Sequence, residues 1–340
     1  MSENAEEYFQ KATQLMPFVI DYKIKQGAFL IAENQLIAAK TVFASALSLN
    51  PTIKEIHLNL GYISLLEQDF KKKSTPFSMV TAYDYPTSLI INKVNIPMVL
   101  VGDSASMVVY GYKDTTPIQM NEMLLIAKAV ARGINTALLV GDMPFMSYQP
   151  SIEVAVQNAG RLIKEGLMDA VKLEGGVEYV EQISAIVTAG IPVMGHIGLK
   201  PQSVLIESGY KVQGKTSESA LKIYQDALAL ADAGVFALVL EGVPEELAQI
   251  ITQNIKIPTV GIGAGKFCDG QIQVLHDIIG LLGENVPKHA NAYINSQKII
   301  QDGISQYQSD VENHTFPNSN HSTKMDAQEL TELKNKIENL

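Results

Sequence analysis

Three features of the sequence predict a (β/α)8 barrel preceded by a short all-α segment. From residue 77 onward, short and nearly continuous apolar runs alternate with amphipathic stretches of helical period, the pattern of a parallel sheet covered on its outer face. Seven or eight such units follow one another, which closes most naturally into a barrel, with an open doubly wound sheet as the alternative. Several of the apolar runs end on a carboxylate, and in a barrel those ends share one mouth.

Residues 1–62 stand apart. Ala5, Phe9, Ala12 and Pro17 recur as Ala39, Phe43, Ala46 and Pro51, and Gly27 recurs as Gly61, a period of 34 residues. Small residues where two helices touch, with Pro closing the second helix, make this segment resemble tetratricopeptide repeats. One complete repeat, Ile20 to about Ile53, is fewer than the three or so that such arrays need to bury their apolar faces. Lys73 stands where the next helix wants a small residue, so the repeat fails near residue 62.

The barrel strands are expected at Phe77–Thr81, at Pro97–Val101 leading to Asp103, and at Thr136–Val140 leading to Asp142. Ala170–Leu173 leads to Glu174, Ile191–Met194 to His196, and Phe236–Leu240 to Glu241. Ile257–Gly261 and, more weakly, Gln271–Leu275 complete the set. Gly133, Gly166, Gly190 and Gly234 each precede a strand and are expected to end the preceding helix, since glycine enters the left-handed conformation without steric cost. The stretch from Ile197 to Lys215 is a 19-residue connection, where about six residues are usual, and reads as a lid over the mouth or an oligomer contact. Residues 313–340 are Asn- and Ser-rich, then charged, and end in a candidate helix from Asp326 to Leu340. The expected organisation is a helical extension over 1–62, a barrel over 63–317 and a polar tail over 318–340.

Composition removes several classes of function. With 46% hydrophobic residues the chain can bury a large core. Its net charge of −10, with no basic cluster longer than Lys71-Lys72-Lys73, argues against nucleic acid. An acidic start and the lack of any 18-residue apolar run point to a cytoplasmic protein. The single cysteine, Cys268, excludes an intrachain disulfide and a thiolate zinc site.

Asp103, Asp142, Glu174 and Glu241 each follow an apolar strand directly or after a glycine. One such acid commonly caps the next helix. Three on consecutive strands repel one another unless a cation or protons neutralise them, and hard oxygen donors select Mg²⁺ or a similar divalent ion. Lys172, two residues before Glu174, shares its face of the strand and can balance carboxylate or enolate charge. His196 can orient or protonate a substrate group, and Gly261–Gly265 can admit an anion to backbone N–H groups.

The motifs Thr81-Ala82-Tyr83-Asp84-Tyr85, Val101-Gly102-Asp103-Ser104, Asp142-Met143-Pro144-Phe145, Lys172-Leu173-Glu174-Gly175-Gly176, Gly195-His196-Ile197-Gly198-Leu199, Gly209-Tyr210-Lys211-Val212-Gln213-Gly214, Leu240-Glu241-Gly242-Val243-Pro244 and Gly261-Ile262-Gly263-Ala264-Gly265 occur in this order. From about Ile63 to Pro317 they make the chain resemble the ketopantoate hydroxymethyltransferases. The resemblance implies that Asp103, Asp142 and Glu174 hold Mg²⁺ directly or through water. It also implies that Asp103, Ser104, Asp142 and Lys172 line the keto-acid site and that Glu241 is the general base. It implies 5,10-methylenetetrahydrofolate as co-substrate, 3-methyl-2-oxobutanoate as acceptor and a homo-oligomer, a decamer of two pentameric rings. The repeats leave room for a protein partner. The alternatives are another Mg²⁺-dependent 2-oxo-acid carbon–carbon lyase, whose catalytic cysteine loop has no counterpart at Cys268, and a repeat-mediated binding protein with a vestigial barrel.

Overall fold

The computed structural model describes residues 20–32, 35–47, 76–203, 209, 211–283 and 286–340. Eight parallel strands close into a barrel in sequential order: β1 (Phe77–Thr81), β2 (Met98–Val101), β3 (Leu138–Asp142), β4 (Ala170–Glu174), β5 (Val193–Gly198), β6 (Ala237–Glu241), β7 (Thr259–Ile262) and β8 (Gly270–Gln273). Pairing of Phe77 with Gly270 and Met79 with Ile272 joins β1 to β8 and leaves no open edge, so the open-sheet alternative is excluded.

Two helices precede the barrel, α1 (Ile20–Ala32) and α2 (Leu36–Leu47). Ala39, Phe43 and Ala46 are fully buried between them, and a Cβ on Gly27 would lie 2.3 Å from the Phe43 ring. The helices therefore touch where one side chain is absent. The rest of the 34-residue pattern, including Ala5, Phe9, Pro51, Gly61 and Lys73, lies outside the described residues.

Around the barrel run α3 (Tyr85–Val94), α4 (Ala105–Val108), α5 (Met120–Gly133), α6 (Ile152–Lys164), α7 (Val180–Thr188), α8 (Ser217–Asp232), α9 (Glu245–Asn254) and α10 (Leu275–Ile278). Their starts follow from side chains that satisfy free N–H groups. Asp84 accepts from Thr87 N, Ser151 from Val154 N and Thr216 from Ser219 N. Residues 279–286 and 292–340 form a second compact unit carrying α11 (Ser296–Glu312) and α12 (Ala327–Glu338). The candidate helix after Asp326 is α12, with the Asp326 carboxylate accepting from Gln328 N. Among the described residues no helix is long and apolar enough to cross a membrane.

β1 has the expected bounds and β8 lies earlier than expected, whereas β3 to β7 all end later than the apolar runs suggest, in β3, β4, β5 and β6 because the polar residue that follows the run still pairs in the sheet. Asp142 pairs with Lys172, Glu174 with His196 and Glu241 with Gly198. Two of the four expected glycine caps are corrected. Gly190 and Gly234 do take positive φ, 86° and 94°, but the left-handed residue after α6 is Leu167, φ 59°, not Gly166. Gly133 is the last residue of α5 and serves close packing: a Cβ there would sit 2.6 Å from Ser88 Cβ.

Side chains alternate across a strand, and this parity builds the site. Leu138 and Val140 fill the barrel interior and place Asp142 in the same row; Ala170 does so for Lys172 and Glu174, Met194 for His196, and Ala237 and Val239 for Glu241. Apolar layers thus lie below and charges at the C-terminal mouth.

Candidate active site

Lys172 is the centre of the charged row. Its Nζ lies 2.7 Å from Asp142 Oδ1 and 3.3 Å from His196 Nδ1, and the residue is only 4% exposed. Burial alone would discharge this amine, but the surrounding Asp142, Glu174 and Asp103 carboxylates outweigh it and hold the ammonium form firmly. His196 sits between two acids, its Nδ1 3.5 Å from Glu174 Oε1 and its Nε2 3.3 Å from Glu241 Oε2. Burial and the Lys172 charge oppose its protonation; hydrogen bonding to Glu174 and Glu241 prevails and raises its pKa to about 9. At neutral pH it is an imidazolium, a donor rather than a base.

The carboxylates respond unequally. Burial, then repulsion from Asp142 and Glu174, drives Asp103 well above the usual carboxylate range. Burial also raises Asp142, against the pull of Lys172. Glu174 is buried too, yet His196, Lys172 and the Gln202 N–H together hold it below the ordinary value. Such a divided set is what like charges packed into one low-dielectric mouth must produce.

Ser104 begins α4 but makes no capping bond; its hydroxyl lies 2.8 Å from the Tyr83 hydroxyl. Glu241 is the most open of the charged residues, its side chain 17% exposed, at the end of β6. Next to it Gly198 has φ 94° and a Cβ there would lie 2.3 Å from Glu241 O, so no other residue fits against the base candidate.

The seven residues expected from the sequence, Asp103, Ser104, Asp142, Lys172, Glu174, His196 and Glu241, all stand at this mouth. Contacts link Asp103, Asp142, Lys172, Glu174, His196 and Glu241, in part through Gln202, whereas the Ser104 hydroxyl contacts Tyr83. The glycine loop at Gly261–Gly265 follows β7, with Gly263 and Gly265 at positive φ. Three participants escaped sequence reasoning. Gln202 donates from its backbone N–H to Glu174 Oε2 at 3.0 Å and from Nε2 to Asp103 Oδ2 and Met143 O at 2.8 and 2.9 Å. Its Oε1 faces the hydroxyl of fully buried Tyr148, 2.9 Å away, and that hydroxyl accepts from Glu174 N–H. Tyr83 is the third. The unusual length of the Ile197–Lys215 connection was the one sign pointing toward Gln202; nothing local marked Tyr148.

A hard divalent ion fits the chemistry of these donors. Three buried acids, Asp103, Asp142 and Glu174, share one ammonium and one imidazolium. Among the described residues no three acids or histidines close on a single point as they stand. Each carboxylate is engaged by protein: Asp103 by Gln202, Asp142 by Lys172 and the Asp103 N–H, Glu174 by His196 and Gln202. Mg²⁺ usually retains several waters and needs only one or two direct carboxylates, so this arrangement suits it better than a closed cage would.

The sequence model of one family, ketopantoate hydroxymethyltransferase, matches residues 64–319. The chain belongs to this family. A 3-methyl-2-oxobutanoate hydroxymethyltransferase of a Thermoanaerobacter species is 51% identical over 266 residues, 78% of this chain and 97% of that protein. The enzyme of the same name from Clostridium kluyveri is 52% identical over 256 residues, 75% and 91% of the two chains. Among solved structures, a phosphonopyruvate hydrolase overlays with a TM-score of 0.52 at 13% identity, covering 74% of this chain and 97% of its own, a likeness of fold alone. Family membership covers the barrel and leaves residues 1–63 outside it.

Proposed function

We propose that this chain is a 3-methyl-2-oxobutanoate hydroxymethyltransferase, which moves a hydroxymethyl group from 5,10-methylenetetrahydrofolate to the keto acid to give 2-dehydropantoate and tetrahydrofolate, the entry step to pantothenate. The carrying observation is the row of Asp142, Lys172, Glu174, His196 and Glu241 on one face of consecutive strands, in which carboxylates alternate with an ammonium and an imidazolium and end at the more accessible Glu241. Asp103, Asp142 and Glu174 would hold Mg²⁺, directly or through water. A divalent ion bound there polarises the C2 carbonyl of a 2-oxo acid and makes its C3 proton removable.

The protein's own groups do the rest. Lys172 and the Ser104 hydroxyl take the anionic end of the keto acid, with Asp142 fixing the lysine at 2.7 Å. Glu241 accepts the C3 proton, and the electron pair of that C–H bond becomes the new bond to the one-carbon unit. Water supplies the hydroxyl oxygen and tetrahydrofolate leaves. His196, protonated and poised between Glu174 and Glu241, helps to hold Glu174 ionised and does not compete for the proton. A homo-oligomeric, cytoplasmic enzyme and a tetratricopeptide-like extension over residues 1–62 belong to the same proposal.

Incubation of the full chain with both substrates and Mg²⁺, followed by chromatography, tests the reading. Formation of 2-dehydropantoate with one tetrahydrofolate per product supports it; cleavage of a 2-oxo-acid carbon–carbon bond without folate consumption would select the lyase alternative.

A further inference from the structure

Beyond the last residue matched by the family, α12 presents an apolar edge that nothing among the described residues covers. Leu330, Leu333 and Ile337 are 41%, 41% and 58% exposed, and Leu340, just past the helix end, continues the spacing. The intervals of three, four and three residues are the a and d positions of a heptad, a narrower stripe than the face of a helix buried on a globular core. In this register Glu329 falls at g and Lys334 at e. The a positions are Leu330 and Ile337 and both d positions, Leu333 and Leu340, are leucine; the second heptad thus pairs a β-branched a with a leucine d, the combination that favours two parallel strands.

The geometry points to a second copy of this chain as the occupant: α12 pairs in parallel with its counterpart as a two-stranded coiled coil. Charge decides the orientation. In a parallel pair, residue g of one helix faces residue e of the next heptad on the other, so Glu329 of each copy meets Lys334 of its partner, two attractive contacts by symmetry. An antiparallel pair on the same core would crowd Lys334 and Lys336 of one helix against those of the other. Helices of this length are marginal alone, so the pairing forms where two copies are already held near each other.

Cysteine placement reads this directly in the full-length protein, because Cys268 is the sole native cysteine and is buried. Leu333→Cys puts a thiol at the d position, where parallel helices bring the two copies within disulfide reach. Asn335→Cys puts it on the outer f position of the same turn. Under mild oxidation the first variant forms a covalent dimer and the second does not. In the Leu333→Cys background, Glu329→Lys lowers the yield and adding Lys334→Glu restores it. Absence of a Leu333→Cys dimer, equal linking through Asn335→Cys, or indifference to the charge exchange would overturn the proposal. None of these outcomes depends on the activity of the barrel.

Discussion

Lys172→Met removes the ammonium while keeping most of the stem. At 2.7 Å and an effective dielectric of about 20, the Lys172–Asp142 attraction is roughly 6 kcal/mol before desolvation is deducted. Breaking a buried pair from one side costs about 3–5 kcal/mol, since the remaining carboxylate stays buried and uncompensated. For a barrel of this size that is a fall in Tm of roughly 6–20 °C, at about 2–4 °C per kcal/mol. The second consequence is sharper. Lys172 and a divalent ion both neutralise Asp103, Asp142 and Glu174, so the variant should gain more in Tm from Mg²⁺ than the parent does, while its affinity for 3-methyl-2-oxobutanoate falls. Thermal melts with and without Mg²⁺, paired with calorimetric titration of the keto acid, give both readings. An unchanged Tm, or identical Mg²⁺ stabilisation of both proteins, would show that the lysine and the ion do not share these carboxylates.

Gln202→Met keeps the backbone N–H on Glu174 but strips the amide from Asp103, Met143 O and Tyr148; supporting residues of this kind typically carry about 10–100-fold in metal affinity, so Mg²⁺ binding by calorimetry should weaken by that factor, and unchanged affinity would reduce Gln202 to loop packing. His196 has its pKa raised from 6.5 to about 9 in the folded state, so the stability it contributes is fully present below about pH 6.5 and is lost as pH rises through 9. In metal-free buffer His196→Asn should therefore flatten the Tm profile across that window, and a profile as steep as the parent's would place the titration elsewhere. Removal of residues 1–62 should leave a folded barrel whose kcat/KM changes by less than about ten-fold, or 1.4 kcal/mol; a larger loss would mean that the extension completes the site or the assembly.

The barrel and its charged row were legible because both follow from strand parity: an apolar layer, then a charged residue in the same row two residues on, at Asp142, Lys172 and Glu241, with Glu174 one further step along the row from Lys172. Boundaries were blurred because the pattern ends at the first polar residue whereas backbone pairing does not. Gly133 and Gly166 were misread as caps because a sequence shows the missing side chain but not whether a φ angle or a neighbour requires it. Gln202, marked only by the length of its loop, and Tyr148 were missed for a different reason. Gln202 reaches Asp103 across 99 residues and Glu174 across 28, and contacts of that range depend on how two loops fold over the mouth, which no periodicity encodes.

The central claim is that this mouth removes the C3 proton of 3-methyl-2-oxobutanoate and that Glu241 receives it. Deuterium exchange at C3, followed by NMR in D₂O without folate, isolates that step from carbon transfer. The parent protein should exchange C3 in the presence of Mg²⁺ and hardly at all after chelation. Folded Glu241→Gln should exchange more slowly by about 10²–10⁴-fold while still binding the keto acid. Mg²⁺-independent exchange in the parent, or near-parental exchange in a well-folded Glu241→Gln protein, would contradict the account.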